Sequence, residues 1–256
     1  MSYYRNRDHE YRISIRNLDT GDIKNLEKNN LLAYILKVMF KNKKYSWGNR
    51  KLARVFAGVG GYTNALAIVS LGITVSHVTG IVTNIPIQFF KPDFYYFFIF
   101  LGAIIAYLFG AMLGYYLLLY NGPGLPLVIE AIVFILIGLL SPSHIIDKNI
   151  LSVFAAICMG LQNAITSRSP MDRTTHLTGL ITDLGIAIVK GNRKHLRAYR
   201  NIILSFFLGA TFAVFIFQKI GSKGFLIPGF ILIIIIYYER ENILEIRKRL
   251  IGLRDF

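Results

Sequence analysis

A short polar motif occurs twice in this sequence within otherwise apolar surroundings. It reads H-x-T-G-x2-T-[N/D] and opens two apolar pieces, residues 78–90 and 177–189. A threonine at a helix start can accept hydrogen bonds from free backbone amides, and a glycine allows close approach. Two such helix starts meeting inside a membrane would bind an anion or a polar solute; alternatively, both pieces are short packing helices. The candidate binding residues of the motif are His77, Thr79, Gly80, Thr83, Asn84, His176, Thr178, Gly179, Thr182 and Asp183.

Two further candidates, Asn64 and Asn163, each belong to the pattern A-x3-G-x2-N-A, and the two copies lie 99 residues apart. An amide inside a membrane is costly unless it has a hydrogen-bond partner. Each asparagine shares a helical turn with a stripe of small residues, so it is predicted to face other helices rather than lipid. The sequence leaves three roles open: contact with a substrate, capping of a short helix, or hydrogen bonding between helices.

Asp183 is the sharpest candidate among the ionisable residues, because the matching position in the first copy is the neutral Asn84. One ionisable group in a matched pair suits proton or cation coupling, although Asp183 could instead pair with Arg193 or Lys194. The two motif histidines could titrate near neutral pH or serve as hydrogen-bonded structure. Glu130 is a weaker candidate, since it is predicted to lie near a membrane interface.

The sequence contains no residue pattern typical of a catalytic site or a metal site. The five histidines and the single Cys158 lack the spacing of metal ligands, and no nucleotide-binding or hydrolase motif occurs. The sequence therefore predicts a protein that is not an enzyme, with no catalytic residue, no metal and no cofactor.

The composition predicts which elements must position these residues. Of the 256 residues, 54% are apolar and 17% are charged, against about 25% charged in a typical soluble domain. The net charge is +15, and residues 1–54 contain 13 basic and 5 acidic residues. Basic segments that flank apolar ones follow the positive-inside rule of membrane proteins, so nucleic-acid binding is not predicted.

The predicted fold is an all-α polytopic membrane protein with six full spans. The two 13-residue pieces reach only about 20 Å as helices, so they are predicted to be re-entrant or broken. Residues 1–52 form a cytoplasmic basic segment with an interfacial helix over 30–44 or a helix packed on the membrane domain, and 239–256 form a cytoplasmic tail. The predicted spans cover residues 55–76, 94–120, 125–140, 150–167, 201–218 and 225–238.

The membrane segments divide into two repeats, residues 53–140 and 150–238. The first two segments of each repeat match at an offset of 99 residues, whereas Leu101-Gly102-Ala103 matches Leu208-Gly209-Ala210 at an offset of 107. Internal repeats are common in transporters. Eight spans would make the repeats parallel, and six spans with two re-entrant pieces would make them inverted. The charge rule places both termini in the cytoplasm either way, and segment length favours six spans.

Several runs carry a family resemblance: GYTNALAIVSLG and SHVTG in the first repeat, and MGLQNAITSR and TTHLTGLITDLG in the second. They resemble the YoaK-like family of bacterial membrane proteins of unknown function, over most of residues 53–238. The resemblance implies an integral protein of the bacterial plasma membrane and names no substrate. The chain departs from that family where it has Asn64, usually an acidic residue, and Ile81-Val82, usually Asn-Thr.

The sequence as a whole predicts a transporter or channel for a small polar or anionic solute. Repeated polar identities inside membrane segments favour this reading. The alternative is a non-transporting scaffold or partner-binding subunit that docks through its basic N-terminal region. The predicted partners are the lipid bilayer and a small-molecule or ion substrate. The sequence leaves a homo-oligomer open and names neither solute nor coupling ion.

Overall fold

The computed structural model describes residues 50–92, 94–141, 146–167 and 174–251. The predicted interfacial helix over 30–44 lies outside these residues. Within them the chain is helical and contains no strand, which confirms the all-α prediction. A 3-10 segment, Gly221–Phe225, joins the helices Arg193–Ile220 and Leu226–Tyr238. The α-helices are α1 Arg50–Leu71, α2 Val78–Phe89, α3 Tyr95–Asn121, α4 Gly124–Leu140, α5 Lys148–Ser167, α6 Leu177–Val189, α7 Arg193–Ile220, α8 Leu226–Tyr238 and α9 Arg240–Ile251.

Four helical stretches among the described residues are long and apolar enough to cross a membrane. They are Lys51–Leu71, Tyr95–Asn121, Lys148–Ser167 and Arg193–Tyr238. The last stretch combines α7, the 3-10 segment and α8, and α4 is shorter, with 17 residues. Length alone therefore gives four candidate spans, fewer than the six predicted. The two short pieces are confirmed as helices, with 12 residues in α2 and 13 in α6.

Both α3 and α7 end at a glycine in the left-handed region. Gly122 has φ 75° and Gly221 has φ 60°. Their amides donate to the carbonyls of Leu118 and Phe217, which closes the last helical turn. Only glycine adopts this conformation without strain. The two caps are 99 residues apart, the offset that relates the sequence motifs.

The first helix of each predicted repeat packs against the third helix of the other. Helix α1 packs on α7 and α5 packs on α3, and these are the two most extensive helix contacts. Glycines let the backbones touch, because a β-carbon there would collide with a carbonyl of the facing helix. Four such contacts form two pairs, and the members of a pair are related by the offset of 99 residues. In the first pair Gly61 meets Phe206 and Gly160 meets Tyr107. In the second pair Gly209 meets Gly58 and Gly110 meets Ile157.

These contacts correct one register predicted from sequence. The Leu-Gly-Ala identity aligns Gly209 with Gly102, at an offset of 107. In the structure Gly102 has only the Val153 side chain at 3.9 Å from a β-carbon position, whereas Gly110 meets backbone as Gly209 does. Gly110 is therefore the counterpart of Gly209, and the offset of 99 extends through the third helices.

The helix directions follow from which ends meet. The end of α1 and the starts of α3 and α5 line one small pocket, through Leu71, Gly72, Ile73, Tyr96, Ile99, Phe100, Lys148 and Asn149. Helix α1 therefore runs opposite to both α3 and α5. Helices α1 and α7 run parallel, because later residues of α1 contact later residues of α7. Gly58 lies against Ser205, and Tyr62 lies beside Phe212. Helix α4 precedes α5 by only seven residues and runs opposite to it.

A hydrogen-bond network fixes the shared end of α3 and α5. Asp147 Oδ1 accepts from the backbone N–H of Asn149 at 2.7 Å and from the Tyr95 hydroxyl at 3.3 Å. The Asn149 side-chain amide donates to the same Tyr95 hydroxyl at 2.8 Å. The bond from the Asn149 backbone holds the pKa of Asp147 below its usual value. The start of α5 is thus capped and tied to α3 at this end.

Candidate functional site

Asn64 anchors the segment that connects α1 to α2. Its Oδ1 accepts from the backbone amides of Val75 at 3.2 Å and Ser76 at 3.1 Å. Asn64 lies seven residues before Leu71, where α1 ends, which is about 10 Å along the helix. The chain after Leu71 therefore turns back beside α1, and α2 begins at the depth of Asn64 rather than at the end of the bundle.

Asn163 holds the equivalent segment before α6. Its Oδ1 accepts from the Thr175 hydroxyl, and its Nδ2 donates to the Tyr107 hydroxyl of α3. Thr175 lies 99 residues after Ser76, so the two asparagines bind equivalent positions of the two repeats. Of the three roles open from sequence, the structure shows hydrogen bonding between helices for Asn163, through Tyr107. Both asparagines also hold the chain segment before a short helix, a role that the sequence did not suggest. Their contact with a solute stays a prediction.

The two motif histidines lie directly before the short helices. His77 has φ −94° and ψ 71°, and His176 has φ −85° and ψ 69°. Neither side chain caps its helix, and both are exposed in the isolated chain. The near-identical backbone shows that the two turns are built alike. A role for these imidazoles in binding or proton transfer stays a prediction.

The remaining motif residues lie on outward faces of α2 and α6. Three polar side chains donate to carbonyls of their own helix: Thr83 to Thr79 at 2.9 Å, Asn84 to Gly80 at 2.8 Å and Thr182 to Thr178 at 3.0 Å. Asp183 is exposed, and nothing lies within 4 Å of a β-carbon position at Gly179.

The two motifs were predicted to meet, and in the described structure they do not. Helix α2 packs on α3, and α6 packs on α7. Among the described residues α2 and α6 make no comparable contact with each other. The outward faces therefore form two separate surfaces, and the motif residues stay predicted, separate candidates rather than one assembled site.

Helices α1 and α5 meet at Gly60, beside the segment that leads into α6. A β-carbon at Gly60 would lie 2.6 Å from the Thr175 methyl group and 3.6 Å from Gln162 Nε2. The same Nε2 donates to the carbonyl of Phe56 at 3.0 Å. A glycine at position 60 therefore lets α1 approach the segment that leads into α6 in the other half of the molecule.

Three buried polar side chains at this meeting point lack hydrogen-bond partners among the described residues. They are the Thr63 hydroxyl, Gln162 Oε1 and the Thr174 hydroxyl, and all three residues are 0% exposed. Thr63 is one turn beyond Gly60 on the same face of α1, and Thr174 adjoins Thr175. An unpartnered buried group costs about 1–3 kcal/mol. We call Thr63, Gln162 and Thr174 the central polar cluster.

The sequence interpretation missed the central polar cluster, although a signal for it was present. A polar residue precedes each repeated asparagine: Thr63 before Asn64, and Gln162 before Asn163. Identities between the repeats do not mark this position, because its residue types differ between the two copies. The structure turns both residues toward the α1–α5 contact, where the hydrophobic core excludes water.

Glu130 is buried inside the helix bundle, which the sequence did not predict. It is the seventh residue of α4 and is 0% exposed. Neither carboxylate oxygen has a hydrogen-bond partner in the described part of the chain. The distance from Pro126 along the sequence does not reveal this burial, because it depends on how α4 inserts between α5 and α8. The depth of Glu130 in a membrane stays a prediction.

Comparison with known proteins supplies a family without a named activity. No curated protein and no solved structure is significantly similar to this chain. The YoaK-like name suggested by the sequence runs therefore stays a resemblance. The family described as proteins of unknown function, DUF1275, matches residues 52–238, which include every candidate residue named above. The chain belongs to the DUF1275 family.

Proposed function

We propose that this protein is a multi-pass membrane transporter or channel that binds a small polar solute at the central polar cluster. In this proposal α1, α3, α4, α5, α7 and α8 cross the bacterial plasma membrane. Helices α2 and α6 are re-entrant, because each begins at the depth of an anchoring asparagine and returns to the side from which its segment entered.

The arrangement of the two halves supports this proposal. Helix α1 runs opposite to α5, its counterpart at the offset of 99, while the glycine contacts recur at the same offset. Counterpart helices that run in opposite directions are the hallmark of inverted-topology repeats, an architecture of secondary transporters. Half-length helices that begin near the midplane at the repeat interface are the usual place of their solute sites.

The orientation follows from charge. The start of α7 lies at the same end of the bundle as the start of α1, since these helices run parallel. Ile243 of α9 contacts Gly124 at the start of α4, which places the C-terminal helix at that end too. Five basic residues from 190 to 200 lie there, so the positive-inside rule makes this end cytoplasmic.

Cysteine labelling tests the six-span arrangement against eight spans. Lys91, exposed between α2 and α3, lies outside the cell with six spans and inside with eight. We expect Lys91→Cys to react with a membrane-impermeant maleimide on intact cells, and Lys190→Cys to react only after permeabilisation. The native Cys158 is buried and provides little background. Protection of Lys91→Cys on intact cells would contradict the re-entrant assignment of α2.

The single observation that carries the proposal is the central polar cluster itself. Three buried polar groups without hydrogen-bond partners in the described part of the chain destabilise the fold unless a ligand binds them. The Gln162 amide nitrogen is engaged by Phe56, which leaves its oxygen as an acceptor. Threonine hydroxyls both donate and accept. The cluster therefore suits a small solute that offers hydrogen-bond donors.

Thr63→Val tests the cluster, because valine has the shape of threonine without the hydroxyl. We expect the variant to be about 1 kcal/mol more stable than the wild type, since an unpaired buried hydroxyl is removed. We expect it to bind solute more weakly. The control is Thr211→Val on α7, whose exposed hydroxyl bonds only to its own helix, at Phe207. A loss of stability in Thr63→Val would show that the hydroxyl is structural.

Thermal shift of the full chain in detergent identifies the solute. A ligand at a hundredfold excess over its Kd stabilises the folded state by about 2.7 kcal/mol. Our proposal requires a solute that shifts the wild type and Thr211→Val but shifts Thr63→Val less. An equal thermal shift in Thr63→Val would show that the solute binds at another place in the protein. No shift across ions, amides, nucleobases and amino acids would favour the scaffold alternative, with docking through residues 1–52.

A further inference from the structure

Glu130 is the acidic residue whose surroundings, within the described chain, least resemble those of a solvated carboxylate. It is 0% exposed, and both its carboxylate oxygens lack hydrogen-bond partners among the described residues. Its helix neighbours Leu127, Ala131 and Phe134 are buried and apolar. An ionised carboxylate in such a place is far more costly than the neutral acid, which needs one hydrogen bond instead of several.

Helix directions point the Glu130 side chain toward the end of α5 that carries Gln162. Its backbone carbonyl lies 3.9 Å from Cys158 Sγ on α5. Cys158 and Gln162 lie one turn apart on the same face of α5. Side chains lean toward the N-terminus of their own helix. Because α4 runs opposite to α5, this lean carries the Glu130 side chain from the level of Cys158 toward that of Gln162.

Among the described residues, the helices packed on α4 place no positive charge beside Glu130: the lysine of α5, Lys148, is exposed at the first residue of that helix, ten residues before Cys158. Helices α3 and α8 carry tyrosines but no charged residue. Lys223 of the 3-10 segment is exposed, and the Cys158 thiol is the titratable group of α5 beside Glu130. A proton is therefore the cation that this carboxylate can hold without a further ligand. Gly229 occupies the counterpart position at the offset of 99, so one half alone carries the acid.

We propose that Glu130 is a proton-binding residue that takes up and releases a proton as the solute passes the central polar cluster. The coupling to solute rests on the proposed function, whereas the exchange of the proton does not. The step is a simple acid–base reaction: the carboxylate gains a proton from water that enters when the helices part, and returns it to water on the other side. While the helices are packed as in this structure, the apolar residues around Glu130 disfavour loss of its proton.

Infrared spectroscopy of the reconstituted full-length chain tests the proposal without any solute. At neutral pH we expect a carboxylic-acid C=O band that Glu130→Gln lacks. In Glu130→Asp, which keeps an acid, we expect the band at a changed frequency. Transfer of the wild type into D2O is expected to lower the band frequency as the acidic proton exchanges. The aspartate variant alone can make the assignment if Glu130→Gln does not fold.

Two results would overturn the proposal. A band unchanged in both Glu130 variants would mean that Glu130 is ionised. A Glu130 band that keeps its frequency after prolonged transfer into D2O would mark a static structural acid. Because no solute is added, either failure is independent of the solute-binding tests of the transporter proposal, and those tests can fail while the Glu130 band and its exchange are observed.

Discussion

Gly160→Ala is expected to destabilise the folded chain by roughly 3 kcal/mol or more, at the upper end for overpacked substitutions. A β-carbon at Gly160 would overlap the carbonyl oxygen of Tyr107 and lie 2.8 Å from the backbone nitrogen of Ala111. Both neighbours are backbone atoms of α3, so no side-chain rotation can relieve the collision. The whole of α3 would have to move away from α5, which opens the most extensive contact of the bundle.

The measurement is the thermal midpoint in detergent, with Gly179→Ala as the matched control. No atom lies within 4 Å of a β-carbon position at Gly179, so alanine there should stabilise helix α6 by roughly 0.5–1 kcal/mol. Gly61→Ala should lose as much stability as Gly160→Ala, because Gly61 meets the Phe206 carbonyl in the same way. If Gly160→Ala matched the wild type, the close α3–α5 contact would be refuted.

Asn64→Leu is the second substitution with a large expected effect. It removes the acceptor of two backbone amides, those of Val75 and Ser76. Each amide left unpartnered costs about 1–3 kcal/mol, so the total loss is about 2–6 kcal/mol. The segment before α2 would also lose the two hydrogen bonds that hold it beside Asn64 of α1. The midpoint of thermal unfolding measures the loss of stability.

Two variants make the Asn64 result specific. Asn64→Asp keeps an oxygen acceptor for both amides and should retain most of the stability. Asn84→Leu makes the same change on α2, where the side chain bonds only to Gly80 of its own helix. A similar loss in Asn84→Leu and Asn64→Leu would contradict an anchoring role specific to Asn64.

The contrast between the two asparagines and Glu130 explains what could be predicted of the site. Asn64 and Asn163 stood out because each repeats within a patterned apolar segment, and the cost of an unpaired amide in such a segment requires a partner nearby. That partner is close in sequence, 11 or 12 residues away in each half. Glu130 does not repeat, and its burial depends on how α4 packs against two other helices: α5, where Cys158 is 28 residues further along the chain, and α8, where Gly229 meets Ala131.

The sequence by itself determined the helical elements of this protein and their division into long and short pieces. Composition requires apolar helices, because backbone groups away from water must bond within their own segment. The positions of α2 and α6 followed from the polar motifs that open them, which are local signals. The offset of 99 likewise followed from identities in the first two segments of each half.

Only the tertiary structure decided how these elements combine. The register of α3 against α7 depends on which glycines touch a facing backbone, and sequence identity selected Gly102 where packing selects Gly110. The separation of α2 from α6 and the burial of Thr63, Gln162 and Thr174 likewise depend on helix crossings. The physical reason is that local sequence sets which residues form a helix, whereas contacts between distant helices set which faces meet and which polar atoms are left without partners.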